Sequence, residues 1–211
     1  TGYFGDVDTD GEPHGFGRMI FDDGGVYEGE WVHGLEHGRG TYLWTWGDKY
    51  DGEWCNGKKE GACIHTYADG GRFEGEMLND VREGYGHFQY HFGDSYDGFY
   101  SNDLKDYGIW FFKSGEAKVC RFELHESGSR SVEKGHGAKW NADRSQAWPL
   151  LDGQPDGEEE ISLEDAADRA SELGLPAEAP PILAEEGRIH IMKSFSAKLS
   201  SSYRTSYRET D

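Results

Sequence analysis

Along the first half of the chain, bulky and polar positions alternate with a period of two. Tyr27, Gly29 and Trp31 alternate with Glu28 and Glu30, which predicts a strand with rings on one face and carboxylates on the other. A second run follows. Gly40, Tyr42 and Trp44 share one face, and Thr41 and Leu43 share the other. The stretch between them holds Gly34, His37 and Gly38, which is turn chemistry. The unit is a β-hairpin, and a lone hairpin is marginal in water.

The hairpin recurs every 23 residues. Tyr27-x-Gly29-x-Trp31 returns as Tyr50-x-Gly52-x-Trp54, Phe73-x-Gly75-x-Met77 and Tyr96-x-Gly98-x-Tyr100. A Gly-x-Gly or its remnant follows (Gly38/Gly40, Gly61/Cys63, Gly84/Gly86), then a turn glycine seven residues on at Gly47, Gly70 and Gly93. Upstream, Tyr3-x-Gly5 with Gly15/Gly17 and Gly24 is a further copy with one inserted residue. Downstream, the copy from Tyr96 keeps Gly108 and Gly115 but loses one residue, and the next survives as Lys118-x-Cys120-x-Phe122. Gly135-His136-Gly137 with Trp140 reads as a last fragment or a cap.

These residues resemble the MORN repeat. Its pattern is close to Tyr-x-Gly-x-Trp-x-x-Gly-x-x-His-Gly-x-Gly, which Tyr27 to Gly40 matches at each of those places. About five copies span residues 3–122, with departures at Asp80, Asp103, Tyr107 and Phe122. The expected fold is all-β: a single-layer antiparallel sheet of stacked hairpins, with an irregular C-terminal extension containing a short helix. Stacking lets the rings of one repeat cover the glycines of the next, where a missing side chain admits close packing. At ~4.8 Å between strands, five copies make a rod on the order of 50 Å long.

Register turns the sequence into surface. The first strands present Tyr27/Trp31, Tyr50/Trp54, Phe73/Met77 and Tyr96/Tyr100, which are expected to pack on their neighbours along the array. The second strands line up Met19, Tyr42, His65, Phe88 and Trp110, with Phe21, Trp44, Tyr67, Tyr90 and Phe112 beside them and Trp46 and Phe92 two places on. A single layer cannot bury all these rings, so part of this set forms an exposed groove of the kind that marks an interaction site. The candidate partner-binding residues are Tyr42, Trp44, Trp46, Tyr67, Phe88, Tyr90, Phe92, Trp110 and Phe112, facing an extended or helical peptide. The opposite face carries Glu28/Glu30, Asp51/Glu53, Glu74/Glu76 and Asp97. That ladder is flat where calcium wants converging oxygens, so it reads as a solvated face.

Composition narrows the function. The 211 residues include 31 glycines and 14% aromatics but only 35% hydrophobic residues, too few aliphatics for a thick core. The net charge of −20 disfavours nucleic acid, which needs clustered cations, and direct binding to an anionic membrane. Basic protein surfaces suit it better. Cys55, Cys63 and Cys120 have no metal-ligand spacing and imply no disulfide framework. Gly52 to Lys59 nearly spells a phosphate loop, but Lys59 stands where Ser or Thr is required and no strand–loop–helix surrounds it. His33 and His37, four apart, read as surface turn residues. No nucleophile, base and orienter set can be assigned. No catalysis, cofactor or metal is therefore expected.

Residues 123–140 read as a degenerate repeat or cap, and 141–161, with Pro149, Pro155 and the run Glu158 to Glu160, as an acidic linker. Ser162 to Asp165 forms a capping box. Leu163, Ala166, Ala167, Ala170 and Leu173 follow helical spacing up to Gly174 and Pro176, a short helix over 162–174. Residues 175–211 read as an extended tail that binds partners, including the apolar stretch Ile189 to Met192. The expected function is a non-catalytic structural subunit of a large assembly. The MORN resemblance implies a cytoskeletal or axonemal place, in a cilium or flagellum, and an intracellular, cytoplasmic location. An accessory subunit of an organellar membrane-protein complex, reached after removal of a leader, and a membrane or lipid-tethering adaptor are the alternatives.

Overall fold

A computed structural model describes residues 2–124, 131–143, 145–157 and 159–173. The tail expected over 175–211, the stop at Gly174 and Glu158 lie outside the described residues. The fold is one open antiparallel sheet whose 14 strands pair in chain order, with one helix after it.

The chain divides into two compact units, Thr1–Lys105 and Asp106–Asp211. The first is a run of hairpins: β1 (Gly2–Val7) with β2 (Pro13–Ile20), β3 (Val26–Val32) with β4 (Leu35–Leu43), β5 (Lys49–Cys55) with β6 (Lys58–Thr66), and β7 (Arg72–Leu78) with β8 (Val81–Gln89), followed by β9 (Ser95–Ser101). Within a repeat the strands meet at a two-residue turn with both residues at positive φ. His33 and Gly34 stand at 47° and 78°, Asn56 and Gly57 at 50° and 80°, Asn79 and Asp80 at 51° and 73°. This is the turn whose twist matches that of paired strands. Between repeats a wider turn closes on a glycine, as in Trp44 to Asp48, where Gly47 at φ 104° donates to the Trp44 carbonyl.

Each second strand contains a bulge. Gly29 pairs with Gly40 while Glu30 pairs with His37, leaving Gly38 and Arg39 extra. Gly38 takes φ 54°, a conformation open to glycine. The Glu30 carboxylate accepts the freed Arg39 N–H at 2.9 Å. Adjacent turns are also tied together. Gly34, Gly57 and Asp80 each donate a backbone N–H to the second strand of the preceding repeat, at Pro13, Glu36 and Lys59. The departures at Asp80 and Asp103 fit this scheme, because their carboxylates accept the N–H groups of Lys59 and Arg82 one repeat back.

The core of this unit is one face of its sheet. Tyr27, Trp31, Tyr50, Trp54, Phe73, Met77, Tyr96 and Tyr100 are all buried. The packing corrects the expected direction of coverage. Tyr27 lies over Gly29 and Gly40 of its own hairpin, so a Cβ on Gly40 would stand 2.2 Å from its hydroxyl oxygen. Its hydroxyl donates to the Glu30 carbonyl at 3.0 Å. Gly86 is corrected in the same way. It is buried under Phe73 of its own hairpin, whose ring would stand 2.4 Å from a Cβ there, while Tyr100 of the next repeat lies farther off at 3.3 Å. Gly86 pairs with the buried Gly98 across the repeat boundary, so both glycines serve close packing and offer no surface to a partner. Trp residues make the contact between repeats: Trp31 Nε1 donates to the Gly17 carbonyl and Trp54 Nε1 to that of Gly40. Trp54 stands edge-on to Tyr27 at 5.2 Å.

In the second unit, β10 (Leu104–Phe111), most of which lies there, β11 (Ala117–Leu124), β12 (Ser131–Trp140), β13 (Ala147–Leu151) and β14 (Gln154–Pro155) continue antiparallel, and α1 (Leu163–Glu172) packs on β12 and β13. Residues 141–161 are corrected from a linker to a truncated hairpin, β13 and β14. Asp152 and Gly153 make the same positive-φ turn, and here the first turn residue rather than the second, Asp152, donates its N–H to the preceding strand, at the Gly135 carbonyl. Pro149 sits within β13 and accepts the Asp156 N–H. The core here is a cluster of Val119, Ala138, Trp140, Ala147, Ala166 and Ala170. Trp140, read as part of a fragment or cap, is fully buried. Ser162 caps the helix by accepting the Asp165 N–H. Leu163, assigned to the apolar stripe, is 41% exposed in the first turn, while Ala166 and Ala170 carry the contact.

Candidate functional site

Above the buried rings of the first unit, the second strands build a second tier. Phe21 stacks on Tyr42 at 5.5 Å, Tyr42 meets Trp44 at 4.5 Å, and Trp44 stacks on His65 at 5.4 Å. His65 stacks on Tyr67 at 4.3 Å, Tyr67 meets Phe88 at 5.5 Å, Phe88 meets Tyr90 at 4.5 Å, and Tyr90 stacks on Phe92 at 5.1 Å. Eight rings from four repeats thus form one continuous ladder. Register explains it. Tyr42, His65 and Phe88 stand opposite Tyr27, Tyr50 and Phe73 on the core side, and the residue two places on carries the next ring.

Seven of the nine partner-binding candidates lie in or beside this ladder. Tyr42, Trp44, Tyr67, Phe88 and Tyr90 are half-buried in it. Trp46 branches from Trp44 at 6.0 Å and is 61% exposed, and Phe92 is 50% exposed. Trp110 and Phe112 belong to the second unit, where they stack on each other at 6.4 Å. Burial pushes the Tyr90 phenol up to about 12, with the Arg82 charge opposing. His65 is pushed below the ordinary imidazole value by burial and by the Lys59 charge, against the pull of Asp48.

A line of cations, not singled out in the sequence, borders these rings. Lys59 Nζ lies 4.8 Å from the Trp44 ring centre, the Arg82 guanidinium 4.9 Å from that of Tyr100, and Lys105 Nζ 5.6 Å from that of Tyr90. The three stand at 23-residue steps, which was the available signal. The same place in the preceding repeat is Glu36, whose carboxyl is raised by burial and by Asp80. Lys59 and Lys105 therefore flank the ladder by attraction between cations and ring faces, while Arg82 lies over the core rings Phe73 and Tyr100, within an otherwise acidic chain.

The opposite face is not uniformly solvated. Glu28 and Asp51 are exposed, but Glu30 caps a bulge and Asp97 is buried against His87. The three cysteines are free, and burial pushes the Cys63 thiol up to about 12. His37 accepts the Asn56 N–H through Nδ1 at 3.4 Å. His33 is the exposed turn residue the sequence predicts, and it also lies beside Asp8 and His14, so that the three can offer ligand atoms within 4.8 Å of one another. No helix among the described residues is long and apolar enough to cross a membrane.

Stacked hairpins, each touching only its neighbours, define a repeat protein of the solenoid kind. More narrowly, the chain carries an array of MORN repeats: the MORN-repeat model matches residues 9–26, 27–49, 50–72 and 73–94. No curated protein matches the chain. Among solved structures, it is similar to the TCP domain of SAS-4 (dCPAP) of Drosophila melanogaster, solved with a proline-rich motif of Ana2. The identity is 12% and the TM-score 0.37, over 70% of this chain and 84% of that one. It is also similar to the TCP10 domain of CPAP from Danio rerio, at 10% identity and TM-score 0.24 over 74% and 93%.

Proposed function

We propose that the protein is a non-catalytic scaffold subunit of a large, cytoskeletal or axonemal assembly, and that it holds a protein segment on the ring ladder of its first unit. One observation carries the docking reading: the ladder from Phe21 to Phe92 is continuous, yet the fold leaves open the ring at one end, Phe92, and the ring that branches from Trp44, Trp46. An extended or helical segment laid across it removes those rings from water and meets Lys59 and Lys105 at its border. The cytoskeletal place rests on the MORN array, whose family resemblance implies it.

Gentle extraction of the endogenous protein, followed by size exclusion and mass spectrometry, tests the assembly. Elution in a large particle with cytoskeletal companions is expected; elution as a free monomer overturns the reading. Trp46→Ala with Phe92→Ala tests the surface. Both rings are half exposed or more, so the melting temperature stays near that of the parent while the companions are lost. Full retention of the companions removes the ladder from the interface.

A further inference from the structure

We propose that Asp8, His14 and His33 form a site for a divalent transition-metal cation of the zinc type. The proposal goes beyond the docking function and does not rest on it. The His33 Nδ1 lies 2.9 Å from Asp8 Oδ2, and the His14 and His33 rings are 5.3 Å apart. One ligand atom from each residue falls within 4.8 Å of the others. The second carboxylate oxygen, Oδ1, accepts the backbone N–H groups of Asp10 and Glu12, each at 3.0 Å. That outer contact fixes the carboxylate and leaves Oδ2 facing the imidazoles, as the outer shell of a metal site does.

The repeat supplies a built-in comparison. In later copies the place of His33 is Asn56, Asn79 and Asn102, and the place of His14 is His37, Glu60 and Glu83. There the two places are joined through the turn backbone: the Asn N–H donates to His37 at 3.4 Å, to Glu60 at 3.2 Å and to Glu83 at 2.7 Å. An imidazole at the turn is not needed, since Asn serves in three copies at nearly the same φ. The loop that carries Asp8 also belongs to the one copy with an inserted residue. Two departures from the repeat, the insertion and His33, thus converge beside His14. A surface ion pair alone contributes little to stability, which gives little reason for both.

Two imidazole nitrogens and one carboxylate oxygen suit zinc and its neighbours, whereas calcium and magnesium prefer oxygen alone. Bonds of ~2.0–2.2 Å to the ion require the three atoms to draw in. The His33 side chain is 74% exposed and free to do so. The ion replaces the Asp8–His33 hydrogen bond: His33 Nδ1 gives its proton to solvent while Nε2 takes one from solvent, so the imidazole stays neutral and binds through Nδ1. The fourth position stays open to water. The ion would pin the loop after β1 and the strand β2 to the turn after β3.

Zinc chloride titrated into the chelator-stripped full chain, followed by calorimetry and by thermal melting, is the test. One equivalent binds and raises the melting temperature by mass action. His33→Asn restores the residue of the other repeats, so its metal-free melt matches the parent. Asp8→Asn removes the charge at near-constant shape. Each weakens zinc binding about tenfold or more and abolishes the thermal shift. If His33→Asn binds one equivalent and shifts like the parent, the ion sits among other histidines or cysteines and the proposal falls. Capture of partners by the ladder is read separately and is untouched by either result.

Discussion

At the residue scale, the two glycines of each hairpin differ in what they tolerate. A Cβ on Gly29 would stand 2.5 Å from the backbone Cα of Gly40 and 2.6 Å from the Tyr27 hydroxyl. Backbone on the facing strand has nowhere to move. At the Gly40 place the nearest atoms all belong to the Tyr27 side chain, and the following repeat carries Cys63 there, buried beside Tyr50. Gly29→Ala therefore costs at least ~1–3 kcal/mol, the range for overpacking a filled site, and Gly40→Ala costs less. Urea midpoints rank the two, and the reverse order would contradict this account of the core. His65 supplies a pH test. Burial holds its folded-state value below the ordinary imidazole value, so the unfolded chain takes up the proton first as pH falls. Stability from His65 is complete above about pH 6.5 and is lost as pH drops from there through the lower folded value. His65→Phe keeps a ring in the stack, as Phe88 does one repeat on. The urea midpoint of the variant declines less between pH 7.5 and 5.5 than that of the parent; identical declines would show that His65 is not responsible.

At the element scale, α1 depends on its cap more than on its apolar stripe. Only Ala166 and Ala170 are fully buried, and Arg169 adds a bond to the Gly137 carbonyl at 3.2 Å. Ser162→Ala removes the acceptor for the Asp165 N–H and costs about 1 kcal/mol of helix stability. Hydrogen exchange at the Ala166 and Ala170 amides should quicken several-fold while the β11 amides stay protected. Unchanged exchange would mean that packing alone holds the helix. The capping box was legible in the sequence because its chemistry is local. So was the hairpin, through its period of two and its 23-residue step. The pair β13 and β14 was not legible, because Pro149 and the acids mask a strand whose pairing partner, β12, lies in the preceding copy. The cap role of Glu30 was hidden for a similar reason. Alternation says which face a carboxylate takes, but not that a bulge nine residues on frees an N–H for it. Nor did alternation show that Asp97, although it keeps the carboxylate face, is buried against His87 directly across the strands. The glycines at Gly40 and Gly86 were legible as repeat positions, but the ring that covers each was not, because spacing does not say which way a side chain leans.

At the scale of the whole molecule, the first unit behaves as a one-dimensional array, and its length should be adjustable in whole repeats. Each interface uses a turn N–H donated to the preceding copy, and three of the four add an aromatic residue of the first strand packed across the boundary (Trp31, Trp54 and Tyr100), with buried Met77 in that place in the other. Excision of residues 50–72 joins Lys49 to Phe73, a step of one full 23-residue period. Trp44, which now stacks on His65, then faces Phe88, which occupies the same register place opposite Phe73 as His65 does opposite Tyr50. The ladder closes without a gap. In an array of nearest-neighbour terms the shortened chain keeps its sheet and loses about one repeat and one interface of stability. Circular dichroism should stay β-rich, and the urea slope should fall with the surface removed. Excision of residues 50–60 is the control. It removes nearly all of β5 and the turn after it but keeps residues 61–66 of β6, so a second strand falls where a first strand belongs and the core rings Tyr50 and Trp54 have no replacement. A shortened array that unfolds as readily as this control would show that the repeats are stabilised by something other than their neighbours.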